Sequence, residues 1–413
     1  MDPRTSFEPG SWPPGNLTRV PFPLYSDPAI YEREQEVLFR GPIWHYLGLE
    51  AEVPNPGDWR TTQVGDAPIV LARAPDGSLN AFENRCAHRG ALLCLAPSGN
   101  SKTLTCVYHA WGYDLKGNLT GVAFRRGIQG KGGMPPDFDM KAHGLRKLRV
   151  ASIAGIVFGT YSEAAPPLEE YLGPEIAARI RRVMKGPPKV LGYYTQTLPN
   201  NWKLYIENVK DSYHASLLHL FFTTFELNRL SQPGGIVVDE SGGHHVSYSM
   251  IEAESRETEY TGAGLRSDRQ DYRLADPSML MGKDEFGDGI TLQILTVFPT
   301  FVLQQIQNSL ALRQIVPTGT GETALHWTYF GFADDDEEMD LLRLKQANLV
   351  GPGGYISMED GAVGGFVHRA IAGAPDDASI LMMGGTEAAS QDTRATEASV
   401  RGFWKAYREL MGL

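Results

Sequence analysis

The sequence has little cysteine, no long apolar run and a shortage of positive charge. Its three cysteines among 413 residues, Cys86, Cys94 and Cys106, are an odd and local set, which argues against a disulfide framework. No run of about 18 consecutive apolar residues occurs, so no membrane-spanning helix is predicted. The opening stretch MDPRTSFEPGSWPPG has no apolar core of the secretory-signal kind and reads as an extended, proline-rich arm, so a cytoplasmic location is expected. Lysine and arginine number 38 against 49 acidic residues, a net charge of −11. That balance argues against nucleic acid or an anionic membrane as a partner, because both require basic surface. No GxGxxG fingerprint opens a βαβ unit, so a nicotinamide cofactor would have to act through a separate protein. Internal repeats and low-complexity tracts are absent too.

What is present fits a globular chain of two to three domains, with 42% apolar and 21% charged residues. From Trp44 to about Ser162 short apolar runs such as Ile69–Ala72 and Leu148–Val150 alternate with turn signals, Pro75-Asp76-Gly77 and Lys116-Gly117-Asn118, and predict a small β domain. Inside it Cys86-x-His88 is followed after 17 residues by Cys106-x2-His109. Two such loops facing each other provide two thiolates and two imidazoles. A structural zinc site uses the same donors. Zinc fingers, however, place their two cysteines together and their two histidines together, whereas each loop here offers one of each. That alternation suits a Rieske [2Fe–2S] centre, in which the cysteines hold one iron and the histidines the other. Cys94 has no partner at ligand spacing and reads as a small buried residue.

The second focus is Asn201 to Thr224, NWKLYIENVKDSYHASLLHLFFTT. Glu207, Asp211 and His214 fall on one face of a helix, and His219, five residues further on, would be turned away unless the helix bulges or ends near Ser216. Two histidines in apolar surroundings suit a divalent transition metal; two core histidines satisfied by backbone carbonyls are the plainer alternative. Before this element, Ile176, Ile180, Val183 and Met184 have amphipathic spacing and KVLGYYTQT reads as a strand. After it, Val246–Met250, Thr291–Pro299, Phe301–Gln307, Ala311–Val316 and Ala324–Phe332 predict an antiparallel sheet. Glu252 to Ser278 is polar and predicts a mobile loop. Asp335–Val350 predicts a helix with Leu341, Leu344 and Leu349 inward, and a last helix is expected over about Thr393–Leu410. The predicted class is α+β, with an arm over 1–40, an all-β domain over 41–162 and a catalytic domain over 163–413.

A one-electron iron–sulfur centre beside two metal-ready histidines points to oxygen activation at a non-haem iron, which uses two histidines and one carboxylate. Glu359 and Asp360 in SMEDGAVGG are the carboxylate candidates, with small residues around them that allow close helix packing. The two Cys–His loops, the element ENxxDxxHxxxxH and this distant Glu-Asp pair together resemble the large (α) subunit of Rieske non-haem iron aromatic-ring hydroxylating oxygenases. The likeness runs from about Arg19 onward. It is strongest to the terephthalate-oxidising members, through NNWKLYIENVKDSYHASLLHLFFTTFELNRLSQ, GGHHVSYSM, LQQIQNS and MEDGAVGGFV. The resemblance implies a helix-grip catalytic domain, a [2Fe–2S] cluster on Cys86, His88, Cys106 and His109, and a mononuclear Fe(II) on His214, His219 and Asp360. It implies that Asp211 bridges His214 to His109 of a neighbouring subunit. It also implies electrons from NAD(P)H through a separate reductase component, and a small β subunit in an α3β3 hexamer. Some members have one more residue between the Glu-Asn pair and the bridging aspartate, which leaves Glu207 and Asn208 without an assigned role.

For the carboxylate beside His214 the residues themselves agree, since an acid next to a ligating imidazole fixes the ring; an exposed helix aspartate is the plainer reading. The implied substrate is the aromatic dicarboxylate terephthalate, with O2, giving a cis-dihydrodiol. Two carboxylates require two cationic anchors, and arginine suits bidentate binding. Arg313 interrupts the apolar alternation SLALRQIVP, and Arg394 lies in DTRATEAS at the expected start of the last helix. Ser247 could add a hydroxyl, and Leu292, Ile294 and Val297 are candidate walls. A solvated or salt-bridged role is the alternative for either arginine. His244 and His245 read as packing or hydrogen-bonding residues. An aromatic-acid monooxygenase of the salicylate type or an O-demethylase would use the same ligands. A pure Rieske electron carrier would not need the long chain beyond the cluster domain.

Overall fold

The computed structural model describes residues 12–13, 15–250, 260, 263–269 and 271–413. The start of the proline-rich arm and much of the expected mobile stretch from Glu252 lie outside the described residues. The chain divides into two compact units, one formed by Phe39–Tyr171 and the other by Met1–Leu38 with Leu172–Leu413.

The smaller unit is all β apart from single helical turns and a short helix at its end. Its seven-stranded sheet has the spatial order His45–Leu49, Ile156–Thr160, Lys147–Ile153, Leu79–Glu83, Ala67–Arg73, Asp58–Val64, Ser98–Asn100, every pairing antiparallel. A three-stranded sheet, Leu104–Thr105, Gly112–Tyr113 and Leu119–Gly121, carries the second Cys–His loop. The core beneath the loops holds Phe82, Leu104, Trp111, Tyr113, Leu115 and all three cysteines.

The larger unit is built on a second seven-stranded antiparallel sheet, in the order Pro188–Leu198, Thr323–Phe332, Ser309–Pro317, Phe301–Ile306, Ile290–Val297, His245–Met250, Gly234–Val238. Residues directly opposite in such a sheet share a face. Ser247 opposes Ile294, and Ile294 opposes Gln304. Arg313 opposes Trp327 and lies two residues from Ala311, the partner of Gln304, so all these side chains leave the sheet on one side. The helix Trp202–Lys210 is tied in by a buried acid. Glu34, on the helix Pro28–Val37, accepts from Lys203 Nζ (2.6 Å), Trp202 Nε1 (2.8 Å) and Tyr407 OH (2.5 Å). Three donors on one buried carboxylate offset the cost of desolvating it. The helix Pro174–Val183 buries Ile176, Ile180 and Val183, as its spacing predicts.

Three expectations on elements are corrected. The site helix does not run to Ser216: it ends at Lys210, because Asp211 turns its Oδ1 onto the backbone N–H groups of Tyr213 (2.8 Å) and His214 (3.3 Å). Short helices Ala215–Leu218 and Leu220–Thr224 then meet at His219. In the helix Glu337–Val350, Leu349 is inward but Leu341 and Leu344 are exposed. Arg343 and Gln346 take the inner face, Arg343 pairing with Glu285 (2.6 Å) and Asp335 (2.8 Å) and Gln346 accepting from Asn308 N–H. The last helix begins at Ala398 rather than near Thr393, so Arg394 precedes it.

The helix Ser357–Ile371 approaches the strand Pro188–Leu198 and the residues after it through glycine. A Cβ on Gly364 would overlap the side-chain amide of Asn200, which is fully buried. Gly364→Ala should therefore lower the thermal unfolding midpoint, since overpacking costs about 1–3 kcal/mol against a gain in helix propensity of about 1 kcal/mol. An unchanged or raised midpoint by calorimetry would show that Asn200 yields freely.

Candidate metal centres and substrate pocket

The two Cys–His loops reverse the chain in the same way. Cys86 N–H bonds to Ala91 O (2.8 Å) and Gly90 N–H to Cys86 O (2.9 Å); Cys106 N–H bonds to Trp111 O (2.8 Å) and Ala110 N–H to Cys106 O (2.9 Å). Both reversals need a left-handed residue, Gly90 at φ +77° and Ala110 at φ +52°. Cys86 and Cys106 are buried, with Tyr113 OH 3.3 Å from Cys86 Sγ. The rings of His88 and His109 stand together at the exposed end, their centroids 4.5 Å apart, and His88 stacks on Trp111. His109 Nδ1 is sealed from solvent and has no hydrogen-bond partner among the described residues. Two buried sulfurs beneath two adjacent imidazoles, one with an orphan nitrogen, suit a cluster with one thiolate-held and one imidazole-held iron. Cys94 is buried in the same core, and burial pushes its thiol up to about 12.

In the larger unit, His214, His219 and Asp360 converge, their ligand atoms lying within 4.8 Å of one another, the only group of three or more such donors among the described residues. Each Nε2 is 3.3 Å from Asp360 Oδ1. The breaks at Asp211 and His219 bring the second histidine back to the first, which an unbroken helix would not. The site is set electrostatically for a cation. Burial opposes charge on His214, yet Asp211 and Asp360 outweigh it and raise its pKa to about 10. Burial likewise opposes ionisation of Asp360, but the two imidazoles hold its carboxyl far below the usual range. Two imidazoles and a carboxylate, all buried or half-buried, fit a divalent iron with open positions.

Each histidine also has an acid near its outer nitrogen. Asp211 Oδ2 lies 3.6 Å from His214 Nδ1, and Glu359 Oε2 lies 2.8 Å from His219 Nδ1. Glu359 was visible in sequence only as a rival to its neighbour for the ligand role, and here the adjacent acids face the two sides of one imidazole. Asn208 Nδ2 lies 3.2 Å from Asp360 Oδ1 and 3.4 Å from His214 Nε2. Glu207 accepts from Tyr25 OH (2.7 Å) and Trp404 Nε1, which makes it a packing acid. Carboxylates beyond a ligating imidazole set its tautomer and basicity. Glu359→Gln should weaken iron binding by roughly 10- to 100-fold, read by chelator competition, while the visible spectrum of the cluster stays unchanged. Undiminished iron affinity would leave Glu359 without a part in the site.

The triad opens into a pocket of about 540 Å3, counting its mouth, walled by Phe222, Leu292, Ile294, Ile306 and Ile356. Ser247, Arg313 and Arg394 line it as well. Val297 does not, because its odd offset from Ile294 along the strand turns it to the opposite face. Arg313 and Arg394 are 6% and 2% exposed, so neither is a solvated surface residue. Their described hydrogen bonds go to neutral acceptors only: Gln304 and Tyr205 OH (2.9 Å) for Arg313, Asn228 and the Arg229 carbonyl for Arg394. His244 Nδ1 accepts from Phe298 N–H and His245 Nδ1 meets Thr296 Oγ1 (2.7 Å), packing roles for both.

A Cys–His loop pair and a two-histidine, one-carboxylate centre on one chain define the large subunit of an oxygenase supplied with single electrons. The chain belongs to the ring-hydroxylating oxygenase α-subunit family. Residues 43–129 match the Rieske [2Fe-2S] domain, and residues 183–413 match the ring hydroxylating alpha subunit (catalytic domain). It is 60% identical to the terephthalate 1,2-dioxygenase terminal oxygenase component subunit alpha 2 of Comamonas sp., over 97% of each chain. It is 46% identical to the anthranilate 1,2-dioxygenase large subunit of Burkholderia cepacia, over 97% of this chain and 95% of that one. Naphthalene 1,2-dioxygenase from Rhodococcus sp. shares the fold, with a TM-score of 0.79 at 22% identity over 95% of this chain and 94% of that one. The protein is thus an oxidoreductase, the oxygenase component of an aromatic-ring dioxygenase, with a [2Fe–2S] cluster, a mononuclear iron and electrons from NAD(P)H through a reductase. Members of the family work with reductases and usually with a β subunit. Among the described residues no helix is long and apolar enough to cross a membrane.

Proposed function

We propose that this chain binds terephthalate and directs its cis-dihydroxylation to 1,2-dihydroxy-3,5-cyclohexadiene-1,4-dicarboxylate. The observation that carries the reading is the pair of buried guanidiniums, without acidic partners among the described residues, in the pocket that contains the triad. In a water-poor pocket an arginine lacking a counter-ion favours a carboxylate strongly, and two of them favour a dicarboxylate. The terephthalate 1,2-dioxygenase name of the relative at 60% identity supports the same substrate.

His214, His219 and Asp360 hold the iron, and Cys86, His88, Cys106 and His109 hold the cluster. When bound, the iron supplies oxygen activation and the cluster supplies single electrons. Arg313 and Arg394 grip opposite carboxylates, Ser247 offers a hydroxyl, and Ile294 with Leu292, Ile306, Ile356 and Phe222 keeps water from the ring. Asp211 orients His214 and reaches His109 of a neighbouring copy. We propose the division 1–40 for the arm, 41–162 for the Rieske domain and 163–413 for the catalytic domain, a cytoplasmic location, and an α3β3 hexamer with a small β subunit.

Turnover under labelled O2 tests the chemistry. Two labelled oxygens in a dihydrodiol are expected from terephthalate; one labelled oxygen in a phenol would move the protein to the monooxygenases.

A further inference from the structure

The two arginines of the pocket are held in the same manner, by amides rather than acids. Arg313 donates from one Nη to the Gln304 side-chain oxygen and lies over the Trp327 ring, 4.5 Å from its centroid. Arg394 donates from one Nη to the Asn228 side-chain oxygen and from the other to the Arg229 carbonyl. Both Nε–H groups are sealed and without partners among the described residues. A guanidinium has only donors, so each amide must present its oxygen to the arginine and its NH2 elsewhere. The Gln304 NH2 is buried without an acceptor among the described residues. The Asn228 NH2 has no acceptor among the described hydrogen bonds and is not among the sealed atoms, and Asn228, itself 2% exposed, lines the pocket. Arg343, just as buried, is held by the acids Glu285 and Asp335 instead. Buried arginines elsewhere in the fold are held by acids, as Arg343 is, or by backbone carbonyls, as Arg401 is; at these two positions a side-chain amide takes one Nη.

We infer that Asn228 and Gln304 are specificity-determining residues, neutral amides that fix Arg394 and Arg313 without neutralising them, so that the missing counter-charge at each end must come from a substrate carboxylate. This inference rests on the dicarboxylate reading of the pocket. An acid at either position would supply that charge from within the protein and turn one carboxylate site into a neutral polar one. Asn→Asp and Gln→Glu change charge at nearly constant shape, so the exchange isolates the charge from the packing.

The test compares terephthalate with benzoate on the metal-loaded wild type, Asn228→Asp and Gln304→Glu. Binding is measured by anaerobic calorimetry and KM and kcat are measured separately. Wild type should favour terephthalate. Each acid variant should lose about tenfold or more in terephthalate affinity, carried in KM more than in kcat. Benzoate affinity should stay level or rise, so the preference collapses. Asn228→Ser, which keeps a neutral acceptor, should retain the preference. A terephthalate-to-benzoate ratio within about twofold of wild type in both acid variants would overturn the inference while leaving the dicarboxylate reading intact. A wild type without that preference would overturn the dicarboxylate reading itself and this inference with it. A variant that does not fold assigns its amide to stability and overturns the inference for that end.

Discussion

Asp211→Asn should leave both metals bound and remove most of the coupled turnover. The Asp211 carboxylate has two tasks. Its Oδ1 takes the N–H groups of Tyr213 and His214, and its Oδ2 lies 3.6 Å from His214 Nδ1. An asparagine oxygen can keep the first task, so the turn and the ligand geometry should survive. Its NH2 then faces Nδ1, and if that nitrogen carries the ring proton two donors meet. The imidazole must change tautomer or turn, and either loses the basicity that an acid confers. From the imidazole alone the fall in turnover is expected to be roughly 10- to 100-fold, and more if Asp211 also provides the electron route to the neighbouring His109. Iron and sulfide content, the cluster spectrum and the rate of cluster reoxidation with substrate present separate these effects. Near-normal product formation per NAD(P)H in a variant with full metal content would reduce Asp211 to a cap on the turn.

The metal centres were legible in sequence because their chemistry needs rare residues at fixed spacing. Cys86-x-His88 and Cys106-x2-His109 can be read without any knowledge of the sheet, and the structure adds that the two loops are the same reversal used twice. His214 and His219 were legible as a pair, but not the means of joining them. Helical periodicity predicts one break near Ser216, whereas Asp211 ends the helix earlier through its side chain. That local competition between a carboxylate and the helix ladder is weakly encoded. The helix Glu337–Val350 fails for a different reason. Its leucines have the right spacing, but Arg343 pairs with Asp335 just before the helix and with the distant Glu285, and claims the inner face. Glu359 was legible only as a candidate ligand, and Asn228 and Gln304 carry almost no signal in sequence. Their roles depend on which atom stands opposite them, a property of the assembled sheet and helices.

Arg313→Ala and Arg394→Ala should each remove most activity on terephthalate. Both guanidiniums are buried, and losing one partner of a buried charge-assisted pair costs on the order of 2–5 kcal/mol, or roughly 30-fold to several thousandfold in kcat/KM. Burial lowers the pKa of Arg394 only to about 10, so it stays protonated at neutral pH and the loss on substitution is that of a full charge. Two fixed anchors also measure the distance between carboxylates. Arg313 is fixed on the strand Ser309–Pro317 by Gln304 and Tyr205, and Arg394 is fixed before the last helix by Asn228 and the Arg229 carbonyl. Anchors that grip opposite carboxylates, as proposed, favour para over ortho placement, so phthalate should be a poor substrate of wild type. Benzoate and salicylate leave one guanidinium buried without a counter-ion and should be poor as well. Rates for all four acids on wild type and both variants decide the matter. Faster hydroxylation of salicylate than of terephthalate by wild type would give the monooxygenase reading the pocket. Equal activity of wild type and both alanine variants on terephthalate would mean that groups other than these arginines hold the carboxylates.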